Sequence, residues 1–327
     1  MRRPSALCLA ATLALAACER GNSSAAAPPP PTTPDSMGSP PRAAHAVQTR
    51  GHADLLESSA ATASVAQPGI WFTVNDSGHE PILYAFDTTG QARGRWLLRD
   101  ARNSDWEAAS YGPCGGSTST DASARCVYVG DTGDNNADAR SRSIYRVAEP
   151  RASSSASGAL GSLSPARVRY RYADGPRDVE AMYVAPDASI YLITKRPAAA
   201  DVDRPTRRAL VFRLPAGAWS SSSVQEAELV DSLPIIPGSA FARFITDAAL
   251  SSDAKYLAVR TYTQVYVFAT DPATGRVNGD VAPAVCNIAS FEETQGEGIA
   301  WLADSHRLLF TSEGRGSAFR LANCPLP

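Results

Sequence analysis

The chain predicts an all-β fold, a β-propeller read as five blades with six as the alternative, closed by an N-terminal strand. Three observations predict it. First, long amphipathic helix patterns are missing, and short runs rich in Val, Ile, Tyr and Phe are broken by Gly, Pro, Asp and Ser, which is the strand signal. Second, an acidic residue heads a short apolar strand four times: Asp105-Trp106-Glu107-Ala108, Asp178-Val179-Glu180-Ala181, Thr246-Asp247-Ala248-Ala249 and Gln295-Gly296-Glu297-Gly298. Third, a second strand follows each head and ends in polar residues: Gly130-Asp131-Thr132-Gly133-Asp134-Asn135, Thr194-Lys195-Arg196, Arg260-Thr261-Tyr262 and Thr311-Ser312-Glu313. A weaker copy lies upstream, with Glu57-Ser58-Ser59 followed by Trp71 to Gly78. Self-similarity at intervals of roughly 50 to 70 residues suits propeller blades with loop insertions.

The elements follow in order. Residues 1–17 read as a leader, with Arg2 and Arg3 ahead of the short apolar run Leu7 to Ala17, too short to span a bilayer as a helix. Leu15-Ala16-Ala17-Cys18 resembles the bacterial lipobox, which implies cleavage before Cys18 and its lipidation, palmitate included; an ordinary signal peptide cut after Ala17 is the alternative. Glu19 in the next position implies sorting to the outer membrane of a Gram-negative bacterium. Residues 18–42, with Pro28 to Pro31, form a Pro/Ala/Ser tether that cannot bury a core. The propeller is assigned to residues 43–327, long enough for one large domain.

Within it the blade unit is four strands, A to D. Strand A opens with the head, B is the most apolar, as in Cys126 to Val129, and C carries a Tyr/Phe alternation, as in Val265 to Phe268. Strand D is variable, as in Arg167 to Tyr172 and Gln225 to Leu229. Ser153 to Ser164 and Ala198 to Arg208 read as loop insertions. The last copy lacks a strand D, which Ala43 to Arg50 is expected to supply, so that the ring closes without open edges.

The 31 basic and 33 acidic residues give a net charge of −2 and no basic tract, which speaks against nucleic acid as a partner. Four cysteines fall in the folded part. An even number in an exported chain suggests disulfides, for which four cysteines allow 3 pairings. Cys114–Cys126 is favoured because the two flank a Gly/Ser/Thr-rich loop between strands, and Cys286–Cys324 because it would pin the C-terminus. A metal site is the alternative, although the spacings match no zinc pattern.

In a propeller the starts of the A strands and the ends of the B strands meet at one mouth. That gathers Ser59, Glu107, Glu180, Asp247 and Glu297 with Asn75, Asp76, Asp131, Asp134, Asn135, Lys195, Arg260 and Glu313. Arg177, Asp105, Asp178 and Arg315 lie just outside. Crowded carboxylates need compensation, from Lys195 and Arg260 or from a divalent cation. Oxygen ligands suit Ca²⁺ or Mg²⁺. The expected metal set is Glu107, Glu180, Asp247, Glu297 and Asn75, and the expected ligand-binding set is Lys195, Arg260, Arg177, Asp131, Asp134 and Glu313. The competing reading is structural: acidic residues cap backbone N–H groups and tie blades together. Gly-x-Ser-x-Gly, Walker and dinucleotide fingerprints are absent, and His45, His52, His79 and His306 sit in poorly patterned loops, so covalent catalysis has little support.

Asn75-Asp76-Ser77-Gly78, Asp105-Trp106-Glu107, Gly130 to Asn135 and Asp178 to Ala181 resemble strings in exported bacterial β-propeller lipoproteins of uncharacterised function. More loosely, the Glu-Gly and Glu-Ala blade starts are similar to SdiA-regulated propellers and β-propeller phytases. Phytases imply Ca²⁺ clusters and phosphate-binding basic residues, here Lys195, Arg260 and Arg177. Lactonase-like propellers imply one divalent ion held by Glu, Asp and Asn at the mouth, here Glu107, Glu180, Asp247, Glu297 and Asn75. The leading expectation is a lipoprotein anchored in the outer membrane that binds a small molecule or protein at the mouth, with Ca²⁺. A metal-dependent hydrolase of an ester, lactone or phosphoester, with Glu107 or Glu180 as base, competes with it. An envelope protein–protein scaffold is the third reading.

Overall fold

Strand β1 (Arg42–Gln48) pairs antiparallel with the last strand of the chain, Ala318–Asn323, so the two ends of the domain meet in one sheet. The computed structural model describes residues 38–115, 123–153, 160–195, 208–235 and 244–327. The leader, Cys18, most of the tether, Arg196, half of the Ser153 to Ser164 insertion and nearly all of the Ala198 to Arg208 insertion lie outside the described residues.

Five antiparallel four-stranded units are seen among the described residues. The first is β2 (Ser58–Ala63), β3 (Ile70–Asn75), β4 (Ile82–Asp87) and β5 (Ala92–Leu98). The second is β6 (Trp106–Pro113), β7 (Arg125–Asp131) and β8 (Arg142–Ala148), completed by β10 (Ala166–Tyr172) after a short β9 (Leu160–Leu163). The third is β11 (Val179–Val184), β12 (Ile190–Thr194), β13 (Ala209–Leu214) and β14 (Gln225–Leu233). The fourth is β15 (Ile245–Leu250), β16 (Tyr256–Thr261), β17 (Gln264–Ala269) and β18 (Ala284–Asn287). The fifth is β19 (Gly296–Trp301), β20 (Leu308–Ser312) and β21 (Ala318–Asn323), with β1 as its outer strand.

Innermost strands touch in a closed cycle, β2 to β6 to β11 to β15 to β19 and back to β2. That cycle, with each sheet running outward from it, is a β-propeller. The core confirms the arrangement. Each pair of adjacent blades traps its own apolar cluster, so the two faces of one strand serve different interfaces. On β3, Phe72 and Val74 pack toward Trp106, Val127 and Val129 of the second blade. Trp71, on the opposite face, packs with Leu309, Phe319 and Leu321 of the fifth. The inner strands are therefore buried on both sides and read as continuous apolar runs, whereas the outer β10 alternates exposed and buried.

Both favoured disulfides are present. Cys114–Cys126 closes the loop between β6 and β7, and Cys286–Cys324 joins β18 of the fourth blade to the C-terminal segment after β21. One feature departs from the sequence reading. Ser153 to Ser164 is not all loop, because β9 adds to the edge of the first blade, parallel to β5 through Arg95↔Leu160 to Leu98↔Leu163. Gly161 stands against the Trp96 ring, where a Cβ would lie 2.4 Å from Cδ1, so the small residues that disguise this strand are what let it approach. Outer strands of the second and third blades are also joined, by parallel pairing of Tyr170–Tyr172 with Gln225–Ala227.

Candidate functional site

Every inner strand carries a register break at its head. Pairing skips from Ser58 to Ala60, Trp106 to Ala108, Val179 to Ala181, Ile245 to Asp247 and Gly296 to Ile299. Such a bulge re-aims one side chain, and the residues it sets apart are Ser59, Glu107, Glu180, Thr246 and, with Gly298 beside it, Glu297. The ring at the mouth thus holds three glutamates and two hydroxyls. The hydroxyls are committed between blades: Ser59 Oγ donates to the Trp106 carbonyl at 2.6 Å and Thr246 Oγ1 to the Glu297 carbonyl at 3.0 Å.

Asp247 is one residue out of this register, and a one-residue slip turns a side chain to the opposite face. It is fully buried and accepts the backbone N–H groups of Ala248 at 2.8 Å, Ile299 at 2.8 Å and Ala61 at 3.2 Å. Burial pushes its carboxyl up while these donors pull it down. The expected metal ligand is a tie between three blades.

Two other expected site residues are used in the same way. Asn75 Oδ1 accepts the N–H groups of Leu56 and Glu57, and its amide nitrogen donates to the Asp54 carbonyl at 2.9 Å. Asp131, at the same place in the next blade, accepts from Ser104 and Asp105 at 3.2 and 2.8 Å. These B-strand ends brace the loop that leads into their own A strand. Arg260 is sealed in: it donates to the carbonyls of Gly298 at 2.6 Å and Thr311 at 2.9 Å, pairs with Glu293, and sits 5.5 Å from the Phe310 ring centre. It supports the fifth blade instead of facing a ligand.

What remains at the mouth is acidic. Asp76, Asp105 and Glu107 bring one oxygen each to within 4.8 Å of one another. Asn103 assembles them, because its side-chain nitrogen donates to the Asn75 and Asp76 carbonyls at 3.0 and 2.6 Å while its oxygen accepts Trp106 N–H at 3.1 Å. Thr132 and Gly133 hold the Asp105 carbonyl from the other side, at 3.1 and 3.2 Å. Burial, then Asp76, pushes Asp105 up to about 6. Burial pushes Glu107 well above the carboxylate range, and Glu180, Asp76 and Glu297 add to it.

Across the mouth, Lys195 pairs with Glu180. Burial alone would lower the ammonium, but Glu180 and Asp178 outweigh it and hold the proton on. Tyr262 donates to Glu297 Oε1 at 3.2 Å, and burial pushes Glu297 up to about 7. The second oxygens of Glu180 and Glu297 are buried with no hydrogen-bond donor among the described residues. Glu313 accepts from Gln295 at 2.7 Å and is also pushed up to about 7, by burial and then by Glu297.

Of the sequence-predicted residues, Glu107, Glu180, Glu297, Lys195 and Glu313 come together at the mouth. Arg177 and Asp134 stand to one side, between the second and third blades. Asp76 and Asp105 were placed near the mouth by pattern but not among the metal ligands, and Asn103 and Tyr262 were missed. An Asn three residues ahead of a blade start is the one signal that could have found Asn103.

No protein-family model matches the sequence, and comparison with curated proteins returns no match. Among solved structures, the chain is similar to a crystal structure of Myxococcus xanthus glutaminyl cyclase, at 13% identity and a TM-score of 0.46, over 88% of this chain and 100% of that one. It is also similar to the β-propeller domain of Myceliophteria thermophila Cps50 (Swd1), at 11% identity and a TM-score of 0.40, over 85% and 98% of the two chains. The propeller assignment rests on the chain's own strand topology.

Proposed function

We propose that this is a cell-envelope propeller that binds a small ligand at one mouth with the help of a divalent cation. The observation that carries the reading is the convergence of Asp76, Asp105 and Glu107 within 4.8 Å. Three carboxylates this close repel one another unless protons or a cation intervene, and an all-oxygen set suits Ca²⁺ or Mg²⁺. A cation there would leave Tyr262 and Glu297 on the other side of the mouth to meet an organic ligand. The envelope location and lipid anchor come from the leader and Cys18.

Among the families that the blade starts resemble, a lactonase-like single ion suits this mouth better than a phytase clamp. Arg260 is enclosed in structural bonds and Lys195 is paired with Glu180, which takes both out of a phosphate clamp.

A metal-dependent hydrolase of an ester, lactone or phosphoester is the second reading. Glu297 favours it, since a carboxyl pushed up to about 7 can exchange a proton near neutral pH.

Calcium and magnesium titration by calorimetry, after EDTA treatment, tests the first reading. Saturable binding that Asp105→Asn abolishes supports it, and unchanged binding in that variant removes the cation from this cluster. Turnover of an ester, lactone and phosphoester panel, lost in Glu297→Gln, would decide for the hydrolase.

A further inference from the structure

A cavity of about 280 Å³ opens beside the mouth, between the second and third blades. Arg140 lies in the loop just before β8 and Arg142 opens that strand, Arg171 and Tyr172 stand at the end of β10, and Arg177 in the loop before β11, all lining the cavity. Four arginines line one cavity in a chain of net charge −2, with Arg171 turned to the outer face of β10.

Arg142, Arg177 and the two tyrosine hydroxyls are held in place before any ligand arrives. Arg142 pairs with Asp134 at 3.0 Å with its side chain only 13% exposed. Its Nε is buried and has no partner among the described residues. Arg177 pairs with Asp174 and lies 5.9 Å from the Phe212 ring centre. The hydroxyls of Tyr170 and Tyr172 meet at 3.4 Å, and burial keeps both protonated. Guanidinium offers only donors, and a protonated phenol can donate too.

The opposing charges are largely engaged. Asp134 accepts the N–H groups of Asp138 and Ala139 at 3.2 and 3.1 Å in addition to Arg142. Glu226 pairs with Arg171 at 3.3 Å on open surface, where screening makes a pair weak. Asp138 is exposed. A fixed donor fork with buried hydroxyls matches planar or tetrahedral oxyanions.

We propose that this cavity binds the phosphate or carboxylate group of a small ligand, as an oxyanion site separate from the cation cluster at Asp76, Asp105 and Glu107. It stands on the arginine geometry alone and does not depend on the cation reading.

Calorimetric titration with inorganic phosphate, and separately with acetate, tests it on the whole protein in EDTA, so that the cation cluster is not engaged. Saturable binding of one or both anions is expected, and the stronger heat tells phosphate from carboxylate recognition. Replacing Arg142 alone strands the buried Asp134, so the decisive variant is the double substitution Asp134→Asn with Arg142→Gln, which removes both charges. It should weaken anion binding at least tenfold. Arg140→Gln, at the exposed rim, should fold as wild type and weaken binding severalfold. No saturable heat with either anion, or equal affinity in wild type and both variants, overturns the proposal.

Discussion

Thr246 Oγ1 donates to the carbonyl of Glu297 at 3.0 Å, from the bulged position that glutamates occupy in the second and third blades. Ser59 makes the matching bond to Trp106 in the first. Where the ring lacks a carboxylate, it has a hydroxyl that sews one blade to the next. Thr246→Val, nearly the same in shape, should therefore cost about 1 kcal/mol in urea unfolding, with no change in cation affinity. A loss of cation affinity in this variant would place Thr246 among the ligands.

Asp247, one residue along, should behave differently from a metal ligand. Asp247→Asn sets an amide N–H against backbone N–H donors from neighbouring blades, at a cost of about 3 kcal/mol. The loss of melting temperature should be the same with EDTA as with saturating calcium. A penalty that appears only in calcium would show that Asp247 does bind the ion.

Lys195 and Glu180 form the one ion pair seen within the mouth ring among the described residues, and both are buried. Lys195→Met leaves Glu180 facing Glu107 and Glu297 unpaired and should cost about 3–5 kcal/mol. Adding Glu180→Gln should return most of that. A double-mutant cycle measures the coupling, and a coupling near zero would mean that the pair is not formed in solution.

The blades were legible because the physics that builds them leaves marks in sequence: inner strands buried on both faces are apolar throughout, and their heads are polar. The slip at Thr246 and Asp247 was not. Aligning Asp247 with Glu180 matches chemistry, but the extra residue of a bulge is visible only in the pairing, and it reverses which side chain faces the channel. Arg260 was misplaced for a related reason. Its Cα stands opposite that of Asp247 in the β15–β16 register, inside the blade, while the residue that reaches the mouth is Tyr262, two positions on. Asn75 and Asp131 were recognisably polar, but sequence does not reveal which backbone donors a polar side chain will meet. β9 was hidden by the Gly and Ser composition that lets it pack under Trp96.

The raised carboxyls make stability depend on pH in a direction opposite to that of ordinary surface acids. Glu297 and Glu313 are pushed up to about 7 and Asp105 to about 6. A carboxyl whose folded-state pKa exceeds its unfolded value stabilises the fold fully below the unfolded pKa, about 4.5 for Glu, and that contribution is lost as pH rises through the folded pKa. With EDTA present, the melting temperature should fall between about pH 6.5 and 8, above the unfolded value of the buried His52, whose lowered pKa acts in the opposite direction below it. Asp54, Asp87, Asp253 and Asp304 have lowered pKa values and lose their contribution only at more acidic pH, so they do not mask the trend. Glu297→Gln should flatten the slope. A variant slope equal to that of wild type would mean that Glu297 is ionised throughout this range.

Gly133 offers a steric test of the cation cluster that alters no charge. A Cβ at this position would lie 2.6 Å from Asp105 Oδ2 and 2.6 Å from Glu107 Cγ, closer than nonbonded atoms tolerate. Gly133 is not in the left-handed region, so Gly133→Ala should not strain its own backbone and should act by pushing Asp105 and Glu107 apart. Cation affinity is expected to fall at least tenfold, about 1.4 kcal/mol. Gly78→Ala is the control: a Cβ there meets nothing within 4 Å, but φ is +80°, so it should cost about 1 kcal/mol of stability and leave cation affinity alone. If Gly133→Ala binds calcium as tightly as the Gly78→Ala control does, the ion sits elsewhere on the mouth, and the unpaired oxygens of Glu180 and Glu297 become the place to look.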